Sequence, residues 1–382
     1  MANKINEINT ARVLQLLWYS KGISRADMAR ELALGKSTIT NIVNALERRH
    51  LVRLVESGQS GSSGGRRPLV LAINASYGYI LGLEIQTDFF KAVATDLQGE
   101  VLFSYSQPFV VSKKGLAAAF AEALRIVKPK LRGIGMSLIG VGLGIAGIID
   151  PVDGIVVQSN PLRIRSPVRF YEDVSGLLDV PVMIENDADC CCWGELASRK
   201  TERHGSFAFV LGEFRKGRTS GQDYWGAAVG MGLVLDGKVR HGEAFSAGEF
   251  KSILWEEGNS GQFSLGDVES RRVKEDPVVR SKVIRELCVH VAFLVNTLNL
   301  SCVVIGGDLT SYRDEIVGVL RSEIQRNWSY ANQVECAIEF AALGDLAVAY
   351  GAAGMFLERI FSIPDSVDGA TSGASARIDI LG

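Results

Sequence analysis

The sequence predicts an α/β protein in two parts: a small helical head carrying a two-stranded wing, then a larger body of strands and helices in two related halves. Three observations carry this. Short amphipathic helices separated by Gly turns occupy the first fifty residues. Near Tyr77 the texture changes to short apolar strands alternating with helices, and a second such block starts near Phe207.

Residues 8–20 place Ile8, Val13, Leu14, Leu16, Leu17 and Trp18 on one helical face, and Lys21-Gly22 stops the helix. Ser24 is suited to cap a second helix whose inward positions are Ala26, Met28, Ala29, Leu32 and Leu34. Gly35 supplies a turn, and a third helix from about Lys36 turns Ile39, Ile42, Val43, Leu46 and Val52 inward. A tight turn before the third of three such helices is the helix-turn-helix arrangement, whose last helix enters the major groove of DNA. Its outward residues fit that role. Lys36, Ser37, Thr38, Thr40, Asn41 and Asn44 offer short or amide groups to phosphates and base edges, while Arg25, Arg48 and Arg49 are placed for phosphates. A three-helix protein-interaction domain with a polar face is the alternative reading.

LVRLVES (51–57) and RPLVLAIN (67–74) read as two strands joined by a Gly- and Ser-rich tip, which makes the head a winged helix-turn-helix. Arg66 and Arg67 could enter an A·T-rich minor groove, or simply belong to a hydrated linker. The division predicted is 1–62 for the head, 63–76 for the wing return and linker, 77–362 for the body and 363–382 for a polar tail.

Residues 1–67 hold eleven Lys/Arg against five Asp/Glu, so a head of +6 precedes a body of −8 within a net charge of −2. That asymmetry points to a local anionic partner rather than to general adhesion. With 47% hydrophobic and 22% charged residues, the chain is neither fibrous nor wholly disordered. MANKINEINT lacks a signal-peptide pattern, and no apolar run reaches the length of a membrane span, so a cytoplasmic protein is expected. Cys190, Cys191 and Cys192 are consecutive, and Cys288, Cys302 and Cys336 lie in apolar segments. Reduced, buried thiols are therefore expected instead of disulfides.

Several stretches occur in an order that resembles the ROK family of repressors, open reading frames and sugar kinases. They are GGRRPLVLAIN, VGLGIAGIID, PVMIENDAD, AVGMGLVLDGKVRHG, SAGEF, VNTLN with VVIGGD, and ALGDLAVAYGAA. The resemblance implies a two-lobed, actin-like ATPase fold (ribonuclease H-like and duplicated) in a sugar-kinase-type body, with a C-terminal helix returning to the first lobe. It also implies that Asp187 stands where a kinase keeps its catalytic base, and that Asn160, Asn186, Asp187, Glu249 and Glu269 bind sugar hydroxyls.

The departures from the pattern matter as much. Family kinases open the first lobe with Asp-x-Gly-x-Thr, whereas this chain has Glu84-Ile85-Gln86-Thr87-Asp88. Gln replaces the Gly that admits phosphate, and an added acid repels it. The second phosphate loop keeps Gly226, Gly230 and Gly232 but carries Ala228 at a Gly position. The family's structural zinc ligands, a His and three Cys, correspond to Ser252, Ser260, Gln262 and Asp267, which do not suit zinc. No cofactor, zinc or ATP, is therefore expected. The resemblance implies a sugar-responsive transcription regulator, principally a repressor of carbohydrate uptake or catabolic genes, acting as a homodimer or homotetramer on double-stranded operator DNA. An ATP-dependent sugar kinase with a DNA-binding head is the alternative, and a ligand-binding adaptor acting through protein partners is a third.

Overall fold

The computed structural model describes residues 2–20, 22–56, 69–111, 115–200, 204–215 and 226–363; Arg66, Arg67 and almost all of the predicted tail lie outside the described residues. The head is built from α1 (Ala2–Tyr19), α2 (Arg25–Glu31), α3 (Lys36–Arg48), β1 (Val52–Glu56) and β2 (Leu69–Ile73). α1 starts at Ala2, ahead of the apolar pattern that begins at Ile8, because residues 2–7 contain no Gly or Pro to stop it. Ser24 caps α2, its Oγ accepting from the Asp27 N–H at 3.1 Å. One inward assignment changes: Ala26 faces solvent. Val52 is buried as expected, but opens β1 rather than extending α3, because His50 turns the chain at φ +59° just before it.

β1 and β2 pair antiparallel from Val52↔Ile73 to Glu56↔Leu69. Ile23, in the turn after α1, exchanges two backbone hydrogen bonds with Leu71 at 3.0 and 2.9 Å. The stretch read from sequence as wing return is thus bonded into the head on both sides.

The body's first half runs through β3 (Tyr79–Ile85), β4 (Phe89–Asp96), β5 (Val101–Pro108), α4 (Leu116–Val127), β6 (Leu138–Ile145), β7 (Ile148–Asp150), β8 (Ile155–Gln158), β9 (Val168–Arg169), α5 (Phe170–Asp173), β10 (Val182–Asn186) and α6 (Asp187–Ser198). The second half comprises β11 (Phe207–Arg215), β12 (Gly226–Leu235), β13 (Lys238–Val239), α7 (Asp267–Ser270), α8 (Pro277–Leu298), β14 (Cys302–Gly307), α9 (Arg313–Arg326), β15 (Ala337–Phe340) and α10 (Ala347–Ile360). The main sheets have the orders β5-β4-β3-β6-β10 and β13-β12-β11-β14-β15. In each, an antiparallel meander forms one side of the first strand, and two parallel strands form the other. This shared order is the duplication expected from the sequence.

Five layers result. α4 covers the outer face of the first sheet through Leu116, Phe120, Ala123 and Val127. α8 and α9 cover the outer face of the second through Val283, Leu287, Val291, Ile316 and Leu320. Between the sheets lie α6 and α10, with Cys190, Cys191 and Cys192 fully buried against Phe207, Phe209, Val348 and Ala352. α10 crosses β3 and β6, returning the chain end to the first lobe. The helices touch at Gly351, where a Cβ would stand 1.8 Å from the Cys190 carbonyl oxygen.

The head shares a core with the body. Val13, Leu17, Trp18, Met28 and Ile39 belong to one buried cluster with Ile80, Met355, Phe356, Leu357 and Phe361. Trp18 stacks on Phe361 with ring centroids 4.6 Å apart, and Lys200, just past α6, lies 3.3 Å over the Trp18 ring. Glu358 of α10 accepts from Trp18 Nε1 and Tyr19 Oη, each at 3.4 Å. Replacing Trp18 with Ala is expected to cost about 3–5 kcal/mol. Scanning calorimetry should show one transition for the wild-type chain and an earlier, separate head transition for Trp18→Ala.

Candidate sugar-binding cleft and nucleic-acid interface

On the head, Lys36, Ser37, Asn41, Asn44, Arg48 and Arg49 are exposed along α3, while Thr38 and Thr40 are half-buried. Burial of Ile39, Ile42, Val43 and Leu46 fixes which face remains outside. Thr40 Oγ1 donates to the Lys36 carbonyl at 2.8 Å, and Arg48 Nε to that of Asn44 at 3.3 Å. Arg25 is part-exposed and its Nη2 is 2.7 Å from Glu47 Oε2, tying α2 to α3. The helix surface is therefore polar, cationic and already ordered.

In the body, β10 delivers Asn186 and Asp187 to the start of α6 because Asn186 is the N-cap. Its Oδ1 accepts from the N–H groups of Ala188 (2.8 Å) and Asp189 (3.1 Å), and its Nδ2 donates to the Gly147 carbonyl (2.8 Å). These bonds leave Asn186 chiefly an organising role, holding the turn after β6 against the helix that starts with Asp187. Ser159 Oγ donates to the Ala146 carbonyl at 2.6 Å, which brings the exposed Asn160 to the same turn.

From the second lobe, Glu249 forms a bridge with Gly230 in β12. Gly248 permits it, standing at φ +86° where a Cβ would be 1.7 Å from the Met231 carbonyl oxygen. A Cβ on Gly230 would in turn lie 3.8 Å from Asp187 Oδ1, so Glu249 is carried alongside Asp187. Asn160, Asn186, Asp187 and Glu249 are thus gathered where the lobes meet. Glu269 is set toward the Gly226 end of β12, roughly 13 Å along the strand from Gly230, and its Oε1 is engaged by Lys282 Nζ at 2.6 Å.

Burial raises the Asp187 carboxyl to about 6, reinforced by the negative charge of Glu213 and opposed by Arg215. Burial also raises Glu249. Glu213 and Arg215, paired at 2.8 Å, were not among the sequence candidates. Their signal is a Glu-x-Arg alternation at the end of β11, which puts both side chains on one face of the strand. A second group missed from sequence is Glu185, Asp189 and His241, directly behind Asp187. Burial works against a charged His241, but its bond to Glu185 and the charges of Glu185 and Asp189 outweigh it and hold the imidazole above its ordinary value.

The first-lobe loop is filled. Glu84 is 2% and Gln86 3% exposed. Burial lifts the Glu84 carboxyl to about 8 despite Lys91, whose Nζ is 3.7 Å away. The positions matching the family's zinc ligands form hydrogen bonds instead. Ser260 donates to Asp267 Oδ1 through N and Oγ at 2.8 and 2.7 Å. Gln262 Nε2 donates to the Val229 and Phe250 carbonyls, at 2.8 and 2.7 Å. Ser252 Oγ lies 3.0 Å from His290 Nε2. No described helix is long and apolar enough to cross a membrane.

Comparison with known proteins agrees with this architecture. Residues 80–258 match the model of the ROK family. The xylose repressor of Caldicellulosiruptor bescii is 26% identical over 417 aligned residues, covering 94% of this chain and 98% of that protein. The xylose repressor of Bacillus subtilis is 25% identical over 305, covering 77% of this chain and 75% of that one. Among solved structures, a ROK family transcriptional regulator described as a homologue of the Escherichia coli MLC protein superposes with a TM-score of 0.71 at 18% identity. That match covers 92% of this chain and 96% of the other, and is a likeness of fold. The match to the ROK family thus falls on residues 80–258, which run from the first sheet into the antiparallel meander of the second.

Proposed function

We propose that this chain is a sugar-responsive transcriptional repressor whose operator binding changes when a monosaccharide occupies the junction of the two lobes. The observation that carries the reading is the near full-length similarity to a protein named as a xylose repressor, which spans head and body together. The exposed polar face of α3 supports double-stranded DNA as the partner, and the cluster around Asp187 and Glu249 supports a neutral polyol as the effector. A homodimer or homotetramer would present two heads to paired half-sites, with the sugar favouring a lobe arrangement that spaces them wrongly.

The reading includes loss of kinase activity. Gln86 fills the place of a phosphate-admitting Gly, and the buried Glu84 is held largely protonated at neutral pH. Asp187 nevertheless retains a carboxyl raised toward neutrality, as a general base requires, which favours the kinase as the second reading.

Selection of genomic fragments by the purified protein, repeated with a panel of sugars beginning with xylose, tests the proposal. Enrichment of a few palindromic sites that one sugar releases is expected; absence of sequence-selective enrichment under every condition would overturn it. Asn44→Ala should weaken operator binding by 1–3 kcal/mol, about 5- to 150-fold, and Lys36→Ala should lower the salt slope of binding by about one. Asp187→Asn should blunt the sugar response while leaving sugar-free operator binding intact. In a coupled assay with ATP and Mg²⁺, turnover abolished by Asp187→Asn would establish the kinase.

Glu84 also gives a pH test. Its folded value lies above the unfolded 4.5, at about 8, so its contribution to stability falls as pH rises between those values. Glu84→Gln should therefore stabilise the protein by about 1–3 kcal/mol near pH 8 and by much less near pH 5, read from urea midpoints at both pH values.

A further inference from the structure

Behind Asp187, three side chains from three segments face one another. Glu185 ends β10, Asp189 lies in the first turn of α6, and His241 follows β13. One ligand atom from each lies within 4.8 Å of the others. His241 Nε2 is 2.8 Å from Glu185 Oε2 and 3.9 Å from Asp189 Oδ2. Glu185 is 1% and Asp189 5% exposed, and Asp189 Oδ1 is buried without a hydrogen-bond partner.

Geometry favours a cation there. The His241 ring reaches Glu185 but lies 3.9 Å from Asp189 Oδ2, and Asp189 Oδ1 stays without a partner. A divalent cation held by all three residues gives the Asp189 carboxyl a partner. The surroundings hold Glu185 in place for such a role: the Asn186 N–H donates to its Oε1 at 2.9 Å and Trp193 Nε1 to its Oε2 at 3.2 Å. Ligand atoms around a tetrahedral ion with bonds of about 2.0–2.1 Å are about 3.3 Å apart, which falls between the two distances found. Small side-chain rotations suffice.

We propose that Glu185, Asp189 and His241 form a site for a divalent transition-metal ion, Zn²⁺ in the first instance, with water completing its coordination. It is distinct from the positions matching the family's zinc ligands, which lie at Ser252, Ser260, Gln262 and Asp267. The ion would brace the first turn of α6 to the loop after β13, joining the two lobes beside Asp187. A second grouping, His204, Cys302 and Glu339, already has a cation, since the Arg199 guanidinium donates to Glu339.

The test uses the full chain, stripped with chelator and titrated with Co²⁺ and then Zn²⁺. One Co²⁺ per chain is expected, with visible bands of nitrogen and oxygen ligation and no thiolate charge-transfer band. Zn²⁺ should shift one of the four histidine imidazole signals in the NMR spectrum, and His241→Gln should remove that signal. Asp189→Asn and His241→Gln should each weaken binding at least tenfold. No binding, a thiolate band, or undiminished affinity in folded forms of both variants would overturn the proposal. Should the variants fail to fold, the wild-type stoichiometry and spectrum decide it.

Discussion

The contact of α6 with α10 is the constraint on which the rest of the molecule depends. Each sheet buries one face against this helix pair, so the helices must approach closely enough to act as a single layer. The absence of a side chain at Gly351 permits that approach, and the small cysteines of α6 fill the space on both sides, Cys190 against Gly144 of the first sheet and Cys192 against Gly232 of the second. Burial raises all three thiols well above their ordinary range, consistent with packing rather than reactivity.

The same layer concentrates acid. Glu84, Glu185, Asp187 and Asp189 are all buried close to the lobe junction, and burying a carboxylate is unfavourable unless a cation or hydrogen bond compensates. Lys91, Arg215 and His241 each supply part of that compensation. Such a junction presents buried carboxyl oxygens able to accept hydrogen bonds from neutral hydroxyls.

Much of this was legible in the sequence. Helical periodicity located the head because its core is made within three short helices. Strand texture located both sheets because their central strands are buried on two faces. Other features depended on tertiary placement. Arg25 reads as a free cation until α3 brings Glu47 to it. The pairing of Glu269 with Lys282 depends on α8, thirteen residues on. His241 lies more than fifty residues from Glu185, and no local pattern relates them. The packing of Trp18 on Phe361, which unites head and body, joins residues at opposite ends of the chain and leaves no periodic trace.

α6 begins at Asp187 and ends just before Lys200, the residue lying over Trp18 of the head. Twelve residues of helix span about 18 Å. A tilt of about five degrees at one end of a rod of that length displaces the other by roughly 1.5 Å. Close packing against α10 makes the rod stiff, so the carboxylates at its start and the residue against the head just past its end are held at a fixed separation. One rigid helix thus ties the position of the head to that of the buried carboxylates.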